Sequence, residues 1–153
     1  MSLHVNNCDH LAAFSTLNYA WIERFFSVEA SDRKMLERPA WIIEQGGYVL
    51  TLTAGDEVVG CCALLKGDGD HFELAKMAVA PAYQGLGLSH LLMEAAIAQA
   101  KAVNARALDL LTSSTLTRAV ELYKRYGFIV LPAKCHSDYA RCDVVMQLVL
   151  VND

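Results

Sequence analysis

The sequence predicts an α/β (α+β) domain built on a mixed, mostly antiparallel central sheet of about six or seven strands flanked by about four helices. Three observations carry this. Residues 48 to 79 hold three β-rich runs separated by turn residues, the pattern of an antiparallel meander. Residues 71 to 111 then read strand, long helix, short strand, which gives a right-handed crossover with its two strands parallel. Beyond a helical stretch from about 115 to 126, two last apolar runs supply the closing strands.

Taken in order, Leu3 to Val5 allows a short edge strand. From Asp9, the positions Leu11, Ala12, Phe14, Leu17, Ala20 and Trp21 suit a helix that continues toward Phe26. A second helical piece starts near Ser31, carries Met35 and Leu36, and ends before Pro39, because the residue before a proline is pushed out of the α region. Gly46-Gly47 closes that region. Tyr48 to Thr53 and Glu57 to Leu65 flank Gly55-Asp56 and read as a hairpin, and Gly67 to Asp70 turns the chain into the strand His71 to Val79. Leu88, Leu91, Leu92, Ala95 and Ala96 follow the spacing of one buried helix stripe, so a helix spans 87 to 103 with Asn104 as its left-handed stop. Ala107 to Leu111 is nearly all apolar, as in a strand covered on both faces. Ala119, Leu122, Tyr123 and Tyr126 share a stripe on the next helix, which Gly127 closes, and Phe128 to Leu131 and Asp143 to Val151 are the last strands.

The chain of 153 residues suits one domain over 1–153, and a hydrophobic fraction of 54% with three prolines argues for a packed globule. No apolar run approaches the ~20 residues of a membrane span, and the start lacks the basic-then-apolar layout of a signal peptide, so a cytoplasmic address without membrane association is expected. Five cysteines, an odd count with Cys61 and Cys62 adjacent, fit reduced thiols. Cys135, His136 and Cys142 lack a C-x-x-C and a fourth partner at zinc-like spacing, so no metal is expected. A net charge of −4 speaks against a nucleic-acid surface. The apolar final strand Val144 to Val151 allows either a monomer or a homodimer paired along that edge.

The joint between the strand at 71–79 and the long helix is Gln84-Gly85-Leu86-Gly87-Leu88-Ser89. Two glycines let the backbone turn tightly and approach a ligand, while the first N–H groups of the helix lack carbonyl partners and favour a phosphate. A dinucleotide fingerprint would need glycine where His90 stands, and a Walker A loop would need Gly-Lys-Ser/Thr, which is absent. Neither motif fits.

The stretch resembles instead the pyrophosphate loop of the GNAT superfamily of N-acetyltransferases, roughly Arg/Gln-x-x-Gly-x-Gly/Ala, at Gln84, Gly87 and Ser89, with Ser89 where Gly or Ala is usual. The strand E-L-A-K-M-A-V at 73–79, Pro81, and Ala119 to Phe128, similar to A-x-x-L-Y-x-x-x-G-F, extend the resemblance over about residues 48 to 150. It implies acetyl-CoA as cosubstrate, without a metal, and direct transfer of its acetyl group to a primary amine of a small molecule or peptide. Met77 and Val79 would then pair their main chain with the pantetheine arm, and an N–H near Ala78 would polarise the thioester. The N–H groups of Leu86, Gly87, Leu88 and Ser89, in the loop opened by Gln84 and Gly85, would hold the pyrophosphate. Tyr123 corresponds to the family's proton donor to the departing sulfur, and Leu116 stands where many relatives carry an asparagine that contacts pantetheine, with Ser114 or Thr115 as substitutes.

Glu73 is the candidate general base. Strand alternation places Glu73, Ala75, Met77 and Val79 on one face, with Glu73 about 13 Å from Met77, and an apolar cleft would raise its pKa toward the working pH. The early helices form one acceptor wall in the resembled family, which makes Trp21, Phe25 and Glu29 candidate acceptor contacts. The loop holding Asp138, Tyr139 and Arg141 is a second wall, with Arg141 placed to pair with an acceptor carboxylate. The alternative reading is a non-catalytic acyl-CoA sensor, motivated by Leu116 and by the open assignment of the base.

Overall fold

The computed structural model describes residues 1–132 and 140–150. Strands β1 (Ser2–Val5), β2 (Tyr48–Ala54), β3 (Glu57–Lys66), β4 (His71–Val79), β5 (Ala107–Thr112), β6 (Ile129–Val130) and β7 (Val144–Val149) form one sheet in the order β1-β2-β3-β4-β5-β7-β6. Every pairing is antiparallel except β4 with β5. Helices α1 (Leu11–Phe25), α2 (Ala30–Leu36) and α3 (Ala40–Glu44) precede β2, α4 (Leu88–Ala102) makes the crossover, and α5 (Thr117–Arg125) follows β5.

The two faces of the sheet bury two cores. Alternation along β2 and β3 sends Leu50, Leu52, Cys62 and Leu64 toward Leu92, Met93 and Ala96 of α4, and Val49, Cys61 and Ala63 toward Phe14 and Ile22 of α1. Residues 59 to 64 of β3 are therefore buried on both sides, which explains why they read as a continuous apolar run. The α4 stripe is rotated from the expected one. Leu88, Leu92 and Ala96 face inward as expected, but Met93 is buried and Leu91 is largely exposed.

The helix α3 is an addition to the elements that the sequence predicts, where Pro39 marks only a stop. Its φ of −64° also suits a helix start, where a missing N–H costs nothing, so the same residue ends α2's segment and opens α3. Gly55, Asn104 and Gly127 all take positive φ at the expected turn and stops. Cys8, Cys61 and Cys62 are free thiols, whereas Cys142 is disulfide-bonded, which corrects the expectation of reduced thiols throughout. Cys135, His136, Asp138 and Tyr139 lie outside the described residues. Among the described residues, no helix is long and apolar enough to cross a membrane.

Candidate active site

Strands β4 and β5 run side by side for only three residue pairs, from His71 with Ala107 to Glu73 with Asp109, and then part. The chain beyond that point on both strands, Leu74 to Met77 and Leu110 to Thr112, lines a cavity of about 640 Å³. It passes through the gap between the strands. Trp21 of α1 and Met35 of α2 line it on one face of the sheet, and Leu116, Ala119 and Tyr123 of the α5 region on the other.

A β-bulge shapes the β4 side of this gap. Cys61 opposes Ala78 and Ala63 opposes Ala75, so β4 spends one more residue than β3 between those pairs, and Lys76 takes φ +56° to accommodate it. The bulge reverses the alternation that the sequence suggests. Glu73 lies beside Leu65 on the α1–α3 face, and Ala78 is buried on that same face, but Met77 and Val79 pack on the α4 face. Glu73, Ala75, Met77 and Val79 therefore do not share one face.

The bulge also settles which main-chain groups meet the gap. The Cys61 thiol donates to the Lys76 carbonyl at 3.8 Å, and the Ala78 N–H lies against the same sulfur. All peptides are trans, so N–H and C=O of one peptide point opposite ways. The Met77 N–H and C=O consequently point away from β3, toward the edge that β5 has left, and alternation sends the Val79 N–H there too. The donor expected at Ala78 is turned toward β3 instead, and the Met77 N–H takes its place on the free edge.

At the end of β4 the chain passes through a single 3-10 turn, Pro81–Tyr83, into the glycine loop. Gln84 Nε2 donates to the Val79 carbonyl at 3.2 Å and Gln84 Oε1 accepts from Arg24 Nη1 at 3.1 Å, so this side chain braces the loop against β4 and α1. Gly85 and Gly87 have φ of +80° and +81°, and a Cβ at either would meet open space. Conformation rather than crowding demands glycine here. Gly87 caps α4 without any side-chain bond, and the first N–H groups to return to its carbonyl belong to His90 and Leu91. The N–H groups of Leu88 and Ser89 are left for an anion. The loop lies beyond Val79 and does not line the cavity.

Glu73 and Tyr123 both line the cavity, from opposite faces of the sheet. Burial raises the Glu73 carboxyl above its ordinary value, opposed by the Lys76 ammonium and reinforced by the Asp109 carboxylate beside it. Burial also pushes the Tyr123 phenol up to about 12, with Cys62 adding to it. Tyr123 keeps its proton throughout the neutral range, and its ring is set 6.1 Å from that of Phe128.

Beneath the cavity wall Asp32 is fully buried and accepts from Lys76 Nζ at 2.7 Å, from Arg141 Nη1 and Nη2 at 2.9 and 2.7 Å, and from the Glu29 N–H at 2.9 Å. Arg141 also donates to Glu29 at 3.1 Å and lies 5.6 Å from the centre of the Phe26 ring. These bonds tie α2, the bulge and the segment before β7 together. They also assign Arg141 and Glu29, expected as acceptor contacts, to each other and to Asp32. Trp21 lines the cavity as expected, while Phe25 is turned outward against Trp21 and Arg24.

The expected substitutes for the family asparagine are engaged elsewhere. Ser114 Oγ donates to Asp143 at 2.7 Å and its N–H donates to the same carboxylate, and Thr115 is exposed and bonded to Ser113. Leu116 and the hydroxyl-bearing Thr112 and Ser113 line the cavity. Asp32 and Ser113 belong to no motif, and Lys76 stands in the strand at 73–79 at a position to which the resemblance gives no role. The available sign was Lys76, a charge in a strand otherwise apolar from Leu74 to Val79. Among the described residues no group of three or more His, Cys, Asp or Glu is arranged to hold a metal.

A family model described as Acetyltransferase (GNAT) family matches residues 16–128. No curated protein matches the chain in sequence. Among solved structures, the chain is similar to an acetyltransferase of the GNAT family from Staphylococcus aureus Mu50, with 17% identity, TM-score 0.84, and 98% of this chain covering 100% of that one. It is similar to YncA of Salmonella typhimurium, solved with its cofactor acetyl-CoA, at 21% identity and TM-score 0.79, over 100% of this chain and 95% of that one. It is also similar to the ribosomal-protein-alanine N-acetyltransferase of Brucella melitensis, at 16% identity and TM-score 0.79, over 98% of this chain and 100% of that one.

Proposed function

Because the chain belongs to the GNAT acetyltransferase family, we propose that it is an acetyl-CoA-dependent N-acetyltransferase that moves an acetyl group directly to a primary amine of a small molecule or peptide. The observation that carries this reading is the gap between β4 and β5. A free main-chain edge that reaches the cavity at Met77, an acid-base candidate on one side and a proton donor on the other all meet one cavity.

The residues present fit the cosubstrate. The free edge of β4 offers an extended arm the donors and acceptors of a missing strand, and α4 offers a phosphate its unpaired N–H groups beside two glycines. Acetyl-CoA supplies an acetyl group activated as a thioester. Glu73 takes the proton that the amine sheds, directly or through one water, and its raised pKa suits it to accept one near neutrality. The Met77 N–H, on the free edge of β4, would be the donor to the negative charge that develops on the thioester oxygen. The new C–N bond forms as the C–S bond breaks, and the Tyr123 hydroxyl gives its proton to the departing sulfur.

The proposal is tested by thiol release from acetyl-CoA over a panel of amines, beside a thermal shift with CoA alone. Release with an amine supports it. A shift without release from any acceptor favours the sensor reading instead.

Two variants address particular residues. Glu73→Gln is expected to lower kcat/KM at least tenfold and to remove the acid limb of its pH profile, whose inflection in the parent lies above the ordinary carboxylate value because burial raises Glu73. Loss of rate with an unchanged limb would assign that limb to another group. Gly87→Val is expected to weaken CoA binding about tenfold, since a β-branched residue resists φ +81°, while Gly87→Asn, which tolerates the left-handed region, loses less. Calorimetric titration with CoA reads the difference.

A further inference from the structure

The charge pattern around the cavity goes beyond what acetyl transfer requires. A second cavity of about 210 Å³ adjoins the first, and Met35, Trp41, Leu65 and Glu73 line both. The chain is acidic, with a net charge of −4. Yet Lys34, Arg38, Lys76 and Arg141 line the larger cavity and Lys66 the smaller, and Glu73 is the sole lining carboxylate among the described residues.

Three of these cations have partners set back from the cavity. Asp32 holds Lys76 and Arg141 from below, Glu29 also pairs with Arg141, and Glu44 pairs with Arg38 at 2.6 Å on the surface. Lys34 and Lys66 make no ion pair among the described residues. On the α2 side, Ser31, Lys34 and Met35 of the helix and Arg38, just past its C-terminal end, line the cavity, and Lys34 and Arg38 are both exposed at its rim. Glu73 sits at the junction, the apolar surface of Met35, Trp41 and Leu65 surrounds it, and positive charge closes the rim. A polycation entering this site would meet charges of its own sign.

We propose that the acceptor is an amine that also bears a carboxylate and an apolar side chain, the amino-acid class, with its carboxylate at Lys34 and Arg38 and its side chain over Met35, Trp41 and Leu65. The proposal rests on the acetyltransferase reading above. The acceptor nitrogen bonds to the acetyl carbon, the C–S bond breaks, one amine proton passes to Glu73, and the sulfur leaves with the proton of Tyr123. The acceptor carboxylate changes no bond and serves only to orient the amine.

Thiol release from acetyl-CoA is to be measured with methionine, phenylalanine, their carboxamides and spermidine, on the parent protein and on the Lys34→Glu/Arg38→Glu double variant. The free acids are expected to exceed the carboxamides at least tenfold in kcat/KM, although the amide amine is less basic and carries a larger neutral fraction at pH 7. Spermidine is expected to be the poorest acceptor. The double variant is expected to raise KM for the acids about tenfold and to narrow the acid-over-amide preference, a change of about 1.4 kcal/mol. Both side chains are exposed and the Arg38–Glu44 pair that is lost lies on the surface, so its Tm should stay within a few degrees of the parent's. Carboxamides or spermidine equal to or better than the acids would overturn the acceptor class and leave the acetyltransferase reading standing. No release from any acceptor would overturn that reading, and this one with it.

Discussion

Phenylalanine at Tyr123 is expected to lower kcat about ten- to a hundredfold while the Kd for CoA changes less than about twofold. The size of the effect follows from the leaving group. A thiol has a pKa near 8.5, so its anion departs far more readily than an alkoxide, and the help of a proton donor falls at the low end of general acid catalysis. The phenol, held at about 12 by burial, stays protonated across the working range, so its loss should scale kcat without adding an alkaline limb below pH 11. Stability should hardly move. The hydroxyl takes no hydrogen bond among the described residues, and the ring contact with Phe128 survives in the variant. Single-turnover kinetics with a thermal scan separate the two quantities, and an unchanged kcat would remove Tyr123 from the chemistry.

Alanine at Asp32 is expected to cost about 3–5 kcal/mol, the largest stability loss from any single exchange considered. The carboxylate is fully buried and satisfies two cations that are nearly buried themselves, Lys76 at 7% and Arg141 at 16% side-chain exposure. Removing it takes from both nearly buried charges the carboxylate they share. The pH dependence has a definite sign. Burial alone would raise the Asp32 pKa, but the hydrogen bonds from Arg141, Lys76 and the Glu29 N–H hold it well below the ordinary carboxylate range. A carboxyl depressed on folding contributes its stability fully above the unfolded value, near pH 4, and loses it as pH falls toward the folded one. Urea midpoints of parent and variant should therefore differ most at pH 5 to 8 and draw steadily together as pH falls below 4. A constant gap across that range would mean that packing rather than charge sets the loss. Because Asp32 holds Lys76 at the bulge, the variant should also weaken CoA binding, and Asp32→Asn, which keeps the volume, should show this with less unfolding.

The hairpin at Gly55, the crossover of β4, α4 and β5, the stops at Asn104 and Gly127 and the glycine loop were all legible in the sequence. Each is encoded locally, by turn chemistry, by a residue that tolerates positive φ, or by a helical apolar stripe. Glu73 and Tyr123 stand out as candidates in the sequence because each sits in a stretch with a recognisable pattern, and both line the cavity. Residues 133 to 139, with Asp138 and Tyr139 of the loop expected as an acceptor wall, lie outside the described residues.

Other features depended on partners far away in the chain. Alternation along 73–79 predicts one face for Glu73 and Met77, yet an extra residue at Lys76, held by Asp32 forty-four positions earlier, turns them to opposite faces. That exchange brings the Met77 N–H rather than the Ala78 N–H to the free edge. Arg141 looked available for an acceptor because its carboxylate partners, Glu29 and Asp32, are more than a hundred residues away. By itself the sequence determined the strand order's local units, the glycine loop and the family, since short-range backbone preference and periodicity are written residue by residue. Only the tertiary structure decided which groups face the gap between β4 and β5, because a bulge and a buried ion pair depend on register and burial, which no local pattern carries.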